Sequence, residues 1–157
     1  MVCRRVGRNQ GNYCAHGHVR CFCEREGGVV SAVRRGPVAL VIDDSDDTRE
    51  MYAVALRLEG LTVEEARDGQ EALHKAGELL PDIIITDLSM PVMDGWETIR
   101  RLRADERTQR IPIIACSGRD APGDTHDCRA DALLPKPCPL DLLLIEVRRL
   151  LRRNAAA

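Results

Sequence analysis

The chain has 157 residues, of which 44% are hydrophobic and only 3% are aromatic, and that length can bury the core of one ordinary domain. So few aromatic rings exclude a surface that binds single-stranded nucleic acid by stacking its bases. Residues 1–36 carry seven Arg and two Glu, whereas residues 37–157 carry 16 basic and 23 acidic side chains. The longer part is therefore acidic and is not expected to bind nucleic acid.

Residues 1–36 are rich in Gly, Arg and Cys and lack an apolar period that could bury a face, which indicates a disordered extension. The extension contains side chains that zinc accepts as ligands: Cys14, His16, His18, Cys21 and Cys23. Their spacing is not that of a zinc finger, so a flexible tail is favoured over a metal site. A zinc-dependent adaptor stays open as an alternative.

The cysteines and the hydropathy pattern bear on the compartment. Seven cysteines are an odd, scattered number that does not suggest a disulfide framework, which favours a reducing environment. No apolar stretch approaches the roughly 20 residues that cross a bilayer, and the Arg-rich start lacks the apolar segment of a secretory signal. We therefore expect a cytoplasmic protein without membrane insertion.

A continuous apolar run at 38–42 predicts a buried strand that ends in two carboxylates, Asp43 and Asp44. Ser45 then has the position of a helix N-cap, followed by acidic residues of a first turn. The apolar side chains of that helix, at a spacing that predicts contact with the sheet, are Met51, Val54, Ala55 and Leu58.

The next two elements are a short strand at 61–64 and a second helix. Asp68 and Glu71 have the pattern of a capping box, which predicts the start of that helix, and Pro81 predicts its end. The side chains expected on its inner face are Ala72, Ala76, Leu79 and Leu80.

A third strand begins at Ile83 and stops abruptly at Asp87. A β-branched run without polar alternation is typical of a strand covered on both faces. Asp87 therefore lies at a strand's carboxyl end, where open α/β sheets place their ligand sites. Asp94 and Glu97 predict the cap of the third helix, whose inner side chains are Trp96, Ile99 and Leu102.

The last part of the chain contains two strands and one clear helix. The run 111–116 predicts a fourth strand that ends at Ser117, and 132–134 predicts a short fifth strand that is followed by Lys136. Residues 119–131 have almost no apolar face, so a short turn is expected there in place of a full helix. Pro139 opens a final helix, whose inner side chains are Leu140, Leu143, Leu144, Val147 and Leu151.

Alternating strands and helices with right-handed crossovers form a parallel sheet, whose strands all end at the same edge. The side chains expected to converge at that edge are Asp43, Asp44, Asp87, Ser117 and Lys136. Taken singly, each could be an ordinary strand-end, cap or loop residue, but the joint placement of all of them favours a site.

Converged carboxylates repel one another unless a cation neutralises them, and Mg²⁺ is a hard ion that binds carboxylates together with phosphate oxygens. Asp87 is the best candidate nucleophile for a phosphoryl group, because a carboxylate can form an acyl phosphate. Lys136 would offset charge on the transferring oxygens, and the Ser117 hydroxyl could donate to a phosphoryl oxygen.

The segments 38–44, 83–95 and 134–137 resemble the signature segments of response-regulator receiver domains, the CheY-like partners of sensor histidine kinases, and the likeness covers about residues 37–153. The resemblance implies a doubly wound, flavodoxin-like five-stranded parallel sheet with strand order 2-1-3-4-5 and here a reduced fourth helix. It divides the chain into the extension 1–36, a receiver domain 37–153 and a tail 154–157.

The resemblance also implies roles for individual residues. Asp87 would accept the phosphoryl group from a kinase phosphohistidine, and Mg²⁺ would be held by Asp43, Asp44, Asp87 and the backbone carbonyl of Ser89. Lys136 would bind the phosphoryl group, with the bond to the following proline in cis. Ser117 would be the hydroxyl that moves on phosphorylation.

Three features depart from the family pattern. Leu133 stands where an aromatic switch residue is frequent, so an aromatic readout is not expected. The stretch between Ser117 and Lys136 is short and poor in apolar residues. Gly118 stands where alanine is frequent.

These observations predict a single-domain response regulator that accepts a phosphoryl group from a sensor histidine kinase or phosphotransfer protein and signals by contact with a downstream protein that the sequence does not name. It would not be an enzyme, although it would assist its own phosphotransfer and dephosphorylation. One alternative is a receiver-fold docking module that does not switch. Another, a haloacid-dehalogenase-type hydrolase, would require an aspartate where Ser89 stands.

Overall fold

The computed structural model describes residues 36–91, 93–118 and 129–155. The predictions for the extension 1–35 and its zinc ligands lie outside these residues, as do most of the weak stretch 119–131, with its reduced helix, and the last two residues of the tail. None of the helices in the described ranges combines the length and the apolar character that a bilayer crossing requires.

Strands and helices alternate along the described chain as expected. The strands are β1 (Val38–Ile42), β2 (Thr62–Ala66), β3 (Ile83–Asp87), β4 (Ile113–Ser117) and β5 (Ala132–Pro135). The helices are α1 (Asp46–Leu58), α2 (Gly69–Leu79), α3 (Gly95–Ala104) and α4 (Leu140–Ala155). The bounds of β2 and β4 lie one or two residues later than the apolar runs predict.

The strands form one parallel sheet in the order β2-β1-β3-β4-β5, which confirms the predicted fold class. The register aligns the carboxyl ends, because Ile42 lies opposite Thr86, Asp87 opposite Cys116 and Ser117 opposite Pro135. Every crossover therefore returns the chain to the same edge, which we call the carboxyl edge.

Apolar side chains cover both faces of the sheet. One cluster packs α1 and α4 on a face that includes Val41 and Ile85, and the other packs α2 and α3 on a face that includes Ile42 and Ile84. Ile85 and Ile84 are fully buried, and burying each such side chain contributes about 1.5–3 kcal/mol. The central strand β3 is thus held from both sides up to Asp87.

The three predicted N-caps form. Ser45 accepts a hydrogen bond from the Thr48 amide, and the carboxylates of Asp68 and Asp94 accept from the amides three residues on at 2.8 Å each. These caps satisfy amides that a helix start otherwise leaves without partners. These caps mark the starts of α1, α2 and α3. Each of these helices follows a strand that has ended at the carboxyl edge.

The predicted inner face of α1 is wrong for three of its four residues. Met51, Val54 and Leu58 are 43%, 47% and 83% exposed, whereas the residues buried against the sheet are Tyr52, Ala53, Ala55 and Leu56. Nearly every position from 51 to 58 is apolar, so the periodicity fits two neighbouring faces. The small alanines allow the closer approach to the sheet, and this decides the rotation of the helix.

Candidate acidic site at the carboxyl edge of the sheet

The ends of β1 and β3 bring three carboxylates together. Asp43 follows β1 and is 1% exposed, Asp87 is the last residue of β3 and is 5% exposed, and Asp44 is exposed. One carboxylate oxygen of each lies within 4.8 Å of the other two. The convergence that the parallel sheet predicts is therefore present for all three.

Backbone amides orient the two buried carboxylates. Asp43 Oδ1 accepts from the Ser45 amide at 2.9 Å, and Asp87 Oδ1 accepts from the Ser89 amide at 3.0 Å. Each is a turn in which an aspartate binds the amide two residues on. Ser89 itself lies exposed in the loop after β3. One oxygen of each carboxylate is thus held by the chain, and the other faces the lysine described next.

Lys136 contacts both buried carboxylates through the oxygens that the backbone amides do not bind. Its Nζ lies 2.8 Å from Asp43 Oδ2 and 2.9 Å from Asp87 Oδ2. Burial works to lower the pKa of Lys136, but its hydrogen bonds to Asp43 and Asp87 outweigh burial, so the pKa is raised. The side chain is therefore a cation at neutral pH. The following peptide bond, Lys136–Pro137, is cis, as the resemblance implies.

Ser117 ends β4 beside this group. The Lys136 amide donates to the Ser117 carbonyl at 2.7 Å, which joins the end of β4 to the segment that carries the lysine. The Ser117 hydroxyl is half-buried and donates to the Gly118 carbonyl at 3.0 Å. β4 thus ends at Ser117, as the sequence predicts. The Ser117 hydroxyl is bonded to the backbone of the next residue.

Gly95 has a positional role that the sequence analysis did not identify. A Cβ on Gly95 would lie 2.1 Å from the Asp87 carbonyl oxygen and 2.7 Å from Leu88 Cα. The Gly95 amide also donates to the Leu88 carbonyl at 3.1 Å. The start of α3 therefore packs against the backbone of the candidate acceptor, and the Asp-Gly pair could have indicated this close approach.

Arg49 is a second residue that the sequence analysis missed. From the first turns of α1, its guanidinium donates to the Asp43 carbonyl at 2.8 Å and pairs with Asp46. The hydrogen bond to Asp46 raises the pKa of Arg49, against the lowering effect of burial. No sequence signal could have found this role, because an arginine on a polar helix face is common.

The three carboxylates and the Lys136 ammonium together favour binding of a metal cation and of an anionic group. Oxygen ligands from three carboxylates suit a hard divalent cation, and the ammonium provides a second positive group beside the same oxygens. The Asp87 carboxylate belongs to the group that could bind the cation and also contacts the Lys136 ammonium.

The fold and the site define a doubly wound α/β domain with carboxylates and a lysine gathered at its strand ends. Residues 39–148 match the family described as the response regulator receiver domain. The chain therefore belongs to the response regulator receiver family, a class of signalling domain and not a conventional enzyme.

Curated relatives extend beyond the matched region. The chain is 37% identical over 121 residues to the DNA-binding dual master transcriptional regulator RpaA of Synechocystis and 40% identical over 118 residues to response regulator MprA of Mycobacterium ulcerans. These matches cover 75% and 73% of this chain but 50% of each relative. The chain thus matches about half the length of these relatives.

Solved structures agree with the fold along nearly their whole length. The chemotaxis response regulator CheY4 of Vibrio cholerae superposes with a TM-score of 0.68 at 33% identity, over 73% of this chain and 98% of that one. A putative response regulator from Chloroflexus aurantiacus superposes with a TM-score of 0.68 at 30% identity, over 74% and 98%.

Proposed function

We propose that this domain accepts a phosphoryl group on Asp87 from the phosphohistidine of a sensor histidine kinase or phosphotransfer protein in the cytoplasm. The observation that carries the proposal is the surroundings of the Asp87 carboxylate. It is 5% exposed, lies 2.9 Å from the Lys136 ammonium and is grouped with two further carboxylates. Membership of the receiver family supports the same assignment.

In the transfer, a carboxylate oxygen of Asp87 attacks phosphorus while the bond from phosphorus to the histidine nitrogen breaks. An acyl phosphate forms on the domain, and the leaving nitrogen of the donor regains its lone pair. Lys136 already touches the attacking carboxylate, so its ammonium is positioned to bind the transferred oxygens. The amide of Ser89 holds the other carboxylate oxygen and limits rotation of the nucleophile.

The donor set fits Mg²⁺, a hard ion that binds protein carboxylate and carbonyl oxygens together with waters and phosphate oxygens. Asp43, Asp44 and Asp87, whose oxygens lie together, would hold the ion. The Ser89 carbonyl would be a further ligand, as the resemblance to receiver domains implies. When bound, the ion supplies positive charge that offsets the charge on phosphoryl oxygens.

The output of the domain would be a change in protein contacts. The acyl phosphate carries about −1.5 to −2 charges in place of the single negative charge of the Asp87 carboxylate, and it presents three acceptor oxygens at the carboxyl edge. The Ser117 hydroxyl, now bonded to Gly118, would turn toward these oxygens and shift the β4–β5 surface. Leu133 on β5 is 40% exposed, so the surface that responds carries an aliphatic side chain at the position where an aromatic one is frequent.

The downstream target proposed for this chain is a protein. The relative from Synechocystis is named as DNA-binding, but the match covers half of that relative. The expectation that residues 37–157 do not bind nucleic acid stays a prediction from their acidic composition.

The direct test is phosphotransfer from a panel of radiolabelled, autophosphorylated histidine kinases to the full chain. We expect Mg²⁺-dependent label that hydroxylamine removes, as it removes acyl phosphates, and no label on Asp87→Asn. The matched control is Asp47→Asn, an exposed acid of α1 outside the carboxylate group, which should label as wild type does. Full labelling of Asp87→Asn would contradict the proposal.

The same preparation discriminates the non-switching docking module. Nuclear magnetic resonance spectra of the phosphorylated domain should shift at Ser117 and along β5. If Asp87 is labelled but these resonances do not move, the domain accepts the group without switching.

A further inference from the structure

The outer face of α1 carries a line of exposed apolar side chains, Met51, Val54 and Leu58, which we call the α1 row. They are three of the six large hydrophobic side chains that are exposed in the described ranges. Their spacing of three and four residues places them in one line along the helix. Exposed apolar side chains that are scattered singly are ordinary, whereas a contiguous group indicates an interaction surface. The proposed function assigns no role to this one.

The α1 row extends to the end of the helix that is remote from the acidic site. α1 begins at the carboxyl edge, and Leu58 is its last residue. Because a helix rises by about 1.5 Å per residue, Leu58 lies about 10 Å farther along the axis than Met51. Leu58 is also the most exposed of the three, at 83%. The approach of a phosphoryl donor to Asp87 therefore does not account for the exposure of the whole row.

Two side chains of opposite charge flank the α1 row on one side. Glu50 and Arg57 are both exposed, and because they lie two helical turns apart they share one flank of the helix. Within the described ranges, Glu50 has no ion-pair partner. Arg57 pairs with Glu65 at 2.8 Å, but its side chain stays 48% exposed. The flank is thus acidic toward the start of the helix and basic toward its end.

This charge pattern is complementary to itself when a second copy of the helix lies antiparallel to the first. In a two-fold antiparallel pair the same flank of both helices lies on one side of the contact, so Glu50 of each chain meets Arg57 of the other. The α1 row then packs against its own copy, with Met51 beside Val54 of the second chain. A parallel pair would instead place like charges together, which is unfavourable.

We propose that α1 forms the contact of a homodimer, in which the α1 rows of two copies pack antiparallel about a two-fold axis. The symmetry makes each favourable contact twice. Three apolar side chains from each chain form the centre of the contact, which is small, so the dimer is reversible and depends on protein concentration. Its formation requires neither a metal ion nor a phosphoryl group, and the proposal therefore does not depend on the proposed function.

Sedimentation equilibrium of the full chain, in a reducing agent and without a phosphoryl donor, measures the dimer over a wide range of concentration. We expect wild type to pass from monomer to dimer as the concentration rises. Leu58→Ser removes a side chain that is 83% exposed and should raise the dissociation constant about tenfold or more without unfolding the domain. The matched control is Ile145→Ser, an exposed aliphatic residue of α4, which should dimerise as wild type does.

An exchange of charges tests the antiparallel arrangement. Glu50→Arg places two arginines at each flank contact, and Arg57→Glu places two glutamates there, so each variant alone should dimerise about tenfold more weakly than wild type or worse. An equal mixture of the two variants should recover the dimer, because its heterodimer pairs opposite charges at both contacts. Circular dichroism of each variant verifies that the domain is folded.

Several results would overturn the proposal. They are a wild type that stays monomeric throughout the range, a dimer that Leu58→Ser leaves intact, and a mixture of the charge variants that fails to recover the dimer. Phosphotransfer identifies the competing occupant of the α1 row. If wild type is monomeric, and Leu58→Ser loses label from a histidine kinase but keeps label from acetyl phosphate, the row binds the phosphoryl donor and not a second copy.

Discussion

At the scale of the residue, Lys136 balances the charge of the candidate site. The carboxylates of Asp43 and Asp87 are almost completely buried, and the lysine ammonium contacts both. Without this cation, the two buried carboxylates keep only the Ser45 and Ser89 amide hydrogen bonds as compensation for their lost hydration. Lys136 therefore contributes to the stability of the fold as well as to the proposed phosphoryl binding.

We expect Lys136→Met to lower the free energy of unfolding by about 2 kcal/mol at pH 7 in a chelator. This is less than the loss at a fully buried ion pair, because the Lys136 side chain is 27% exposed. Urea unfolding measures the loss. The control is Lys75→Met. The Lys75 ammonium pairs with Glu71, whose side chain is 34% exposed, and also donates to the Glu65 carbonyl, so its loss should cost less than about 1 kcal/mol.

The pH dependence of this difference follows from the raised pKa of Lys136. A group whose pKa is raised by folding contributes its full stabilisation below its unfolded pKa, about 10.4 for lysine, and loses it as the pH rises through the folded value. The difference between wild type and Lys136→Met should be constant from neutral pH to about pH 10 and shrink above it. A difference that grows in alkali would refute this assignment of the ion pair.

At the scale of the element, α3 is tied to the site at its first residue. Gly95 lets the helix start within van der Waals contact of the Asp87 backbone, since even a methyl group there would overlap the Asp87 carbonyl. The helix and the nucleophile therefore cannot move independently. This contact explains why a glycine follows the N-cap Asp94.

We expect Gly95→Ala to lower the free energy of unfolding by about 2 kcal/mol through overpacking and to slow the labelling of Asp87 by acetyl phosphate. Urea unfolding and the labelling rate measure the two effects. Gly118→Ala is the matched control, because a Cβ there meets no atom of the described residues within 4 Å, and its stability should match wild type. Equal stability of the two variants would show that the helix start can shift without cost.

The other end of α3 is joined to two strands by Arg103, whose side chain is 12% exposed. Its guanidinium donates to the Gln109 and Ile111 carbonyls at 2.8 and 2.7 Å and pairs with Asp131 at 2.8 Å. Asp131 in turn accepts from the Ile113 amide at 3.0 Å. This network connects α3 with the starts of β4 and β5.

Arg103→Met should lower the free energy of unfolding by about 2 kcal/mol, because the Ile111 carbonyl and the Asp131 carboxylate, both in partly buried hydrogen bonds, lose their donor. The exposed Arg110→Met should change it by less than about 0.5 kcal/mol. A double-mutant cycle with Asp131→Asn should give a coupling of at least about 0.5 kcal/mol. Additive effects in the cycle would contradict the network.

At the scale of the whole molecule, the acidic group is a product of the sheet. The carboxylates come from two strands, and the lysine follows a third, so folding brings like charges together at the carboxyl edge. A cation that binds only this folded arrangement stabilises the entire domain by mass action.

We expect Mg²⁺ to raise the free energy of unfolding, by about 2.7 kcal/mol at a concentration one hundred times its dissociation constant. Chelation should remove the gain, and sodium chloride at equal ionic strength should not reproduce it. Asp44→Asn should lose most of the gain, whereas Asp47→Asn, outside the carboxylate group, should keep it. Equal responses in both variants would indicate a general ionic effect in place of a site.

The sequence by itself determined the elements and the position of Asp87 along them. The apolar runs of β1 and β3 and the caps at Ser45, Asp68 and Asp94 depend on neighbours a few residues apart, which a single sequence displays. The order of the strands was predicted from the resemblance to receiver domains. The grouping of Asp43, Asp44, Asp87 and Lys136 followed because parallel strands share one edge.

Only the tertiary structure decided which surfaces touch. It rotated α1 to bury Tyr52 in place of Met51, because an almost wholly apolar helix has no unique stripe and close packing of its alanines selects one. It also placed Gly95 against the Asp87 backbone and the Arg49 guanidinium against the Asp43 carbonyl. These contacts depend on distances between segments remote in the chain, and no local pattern of side chains contains that information.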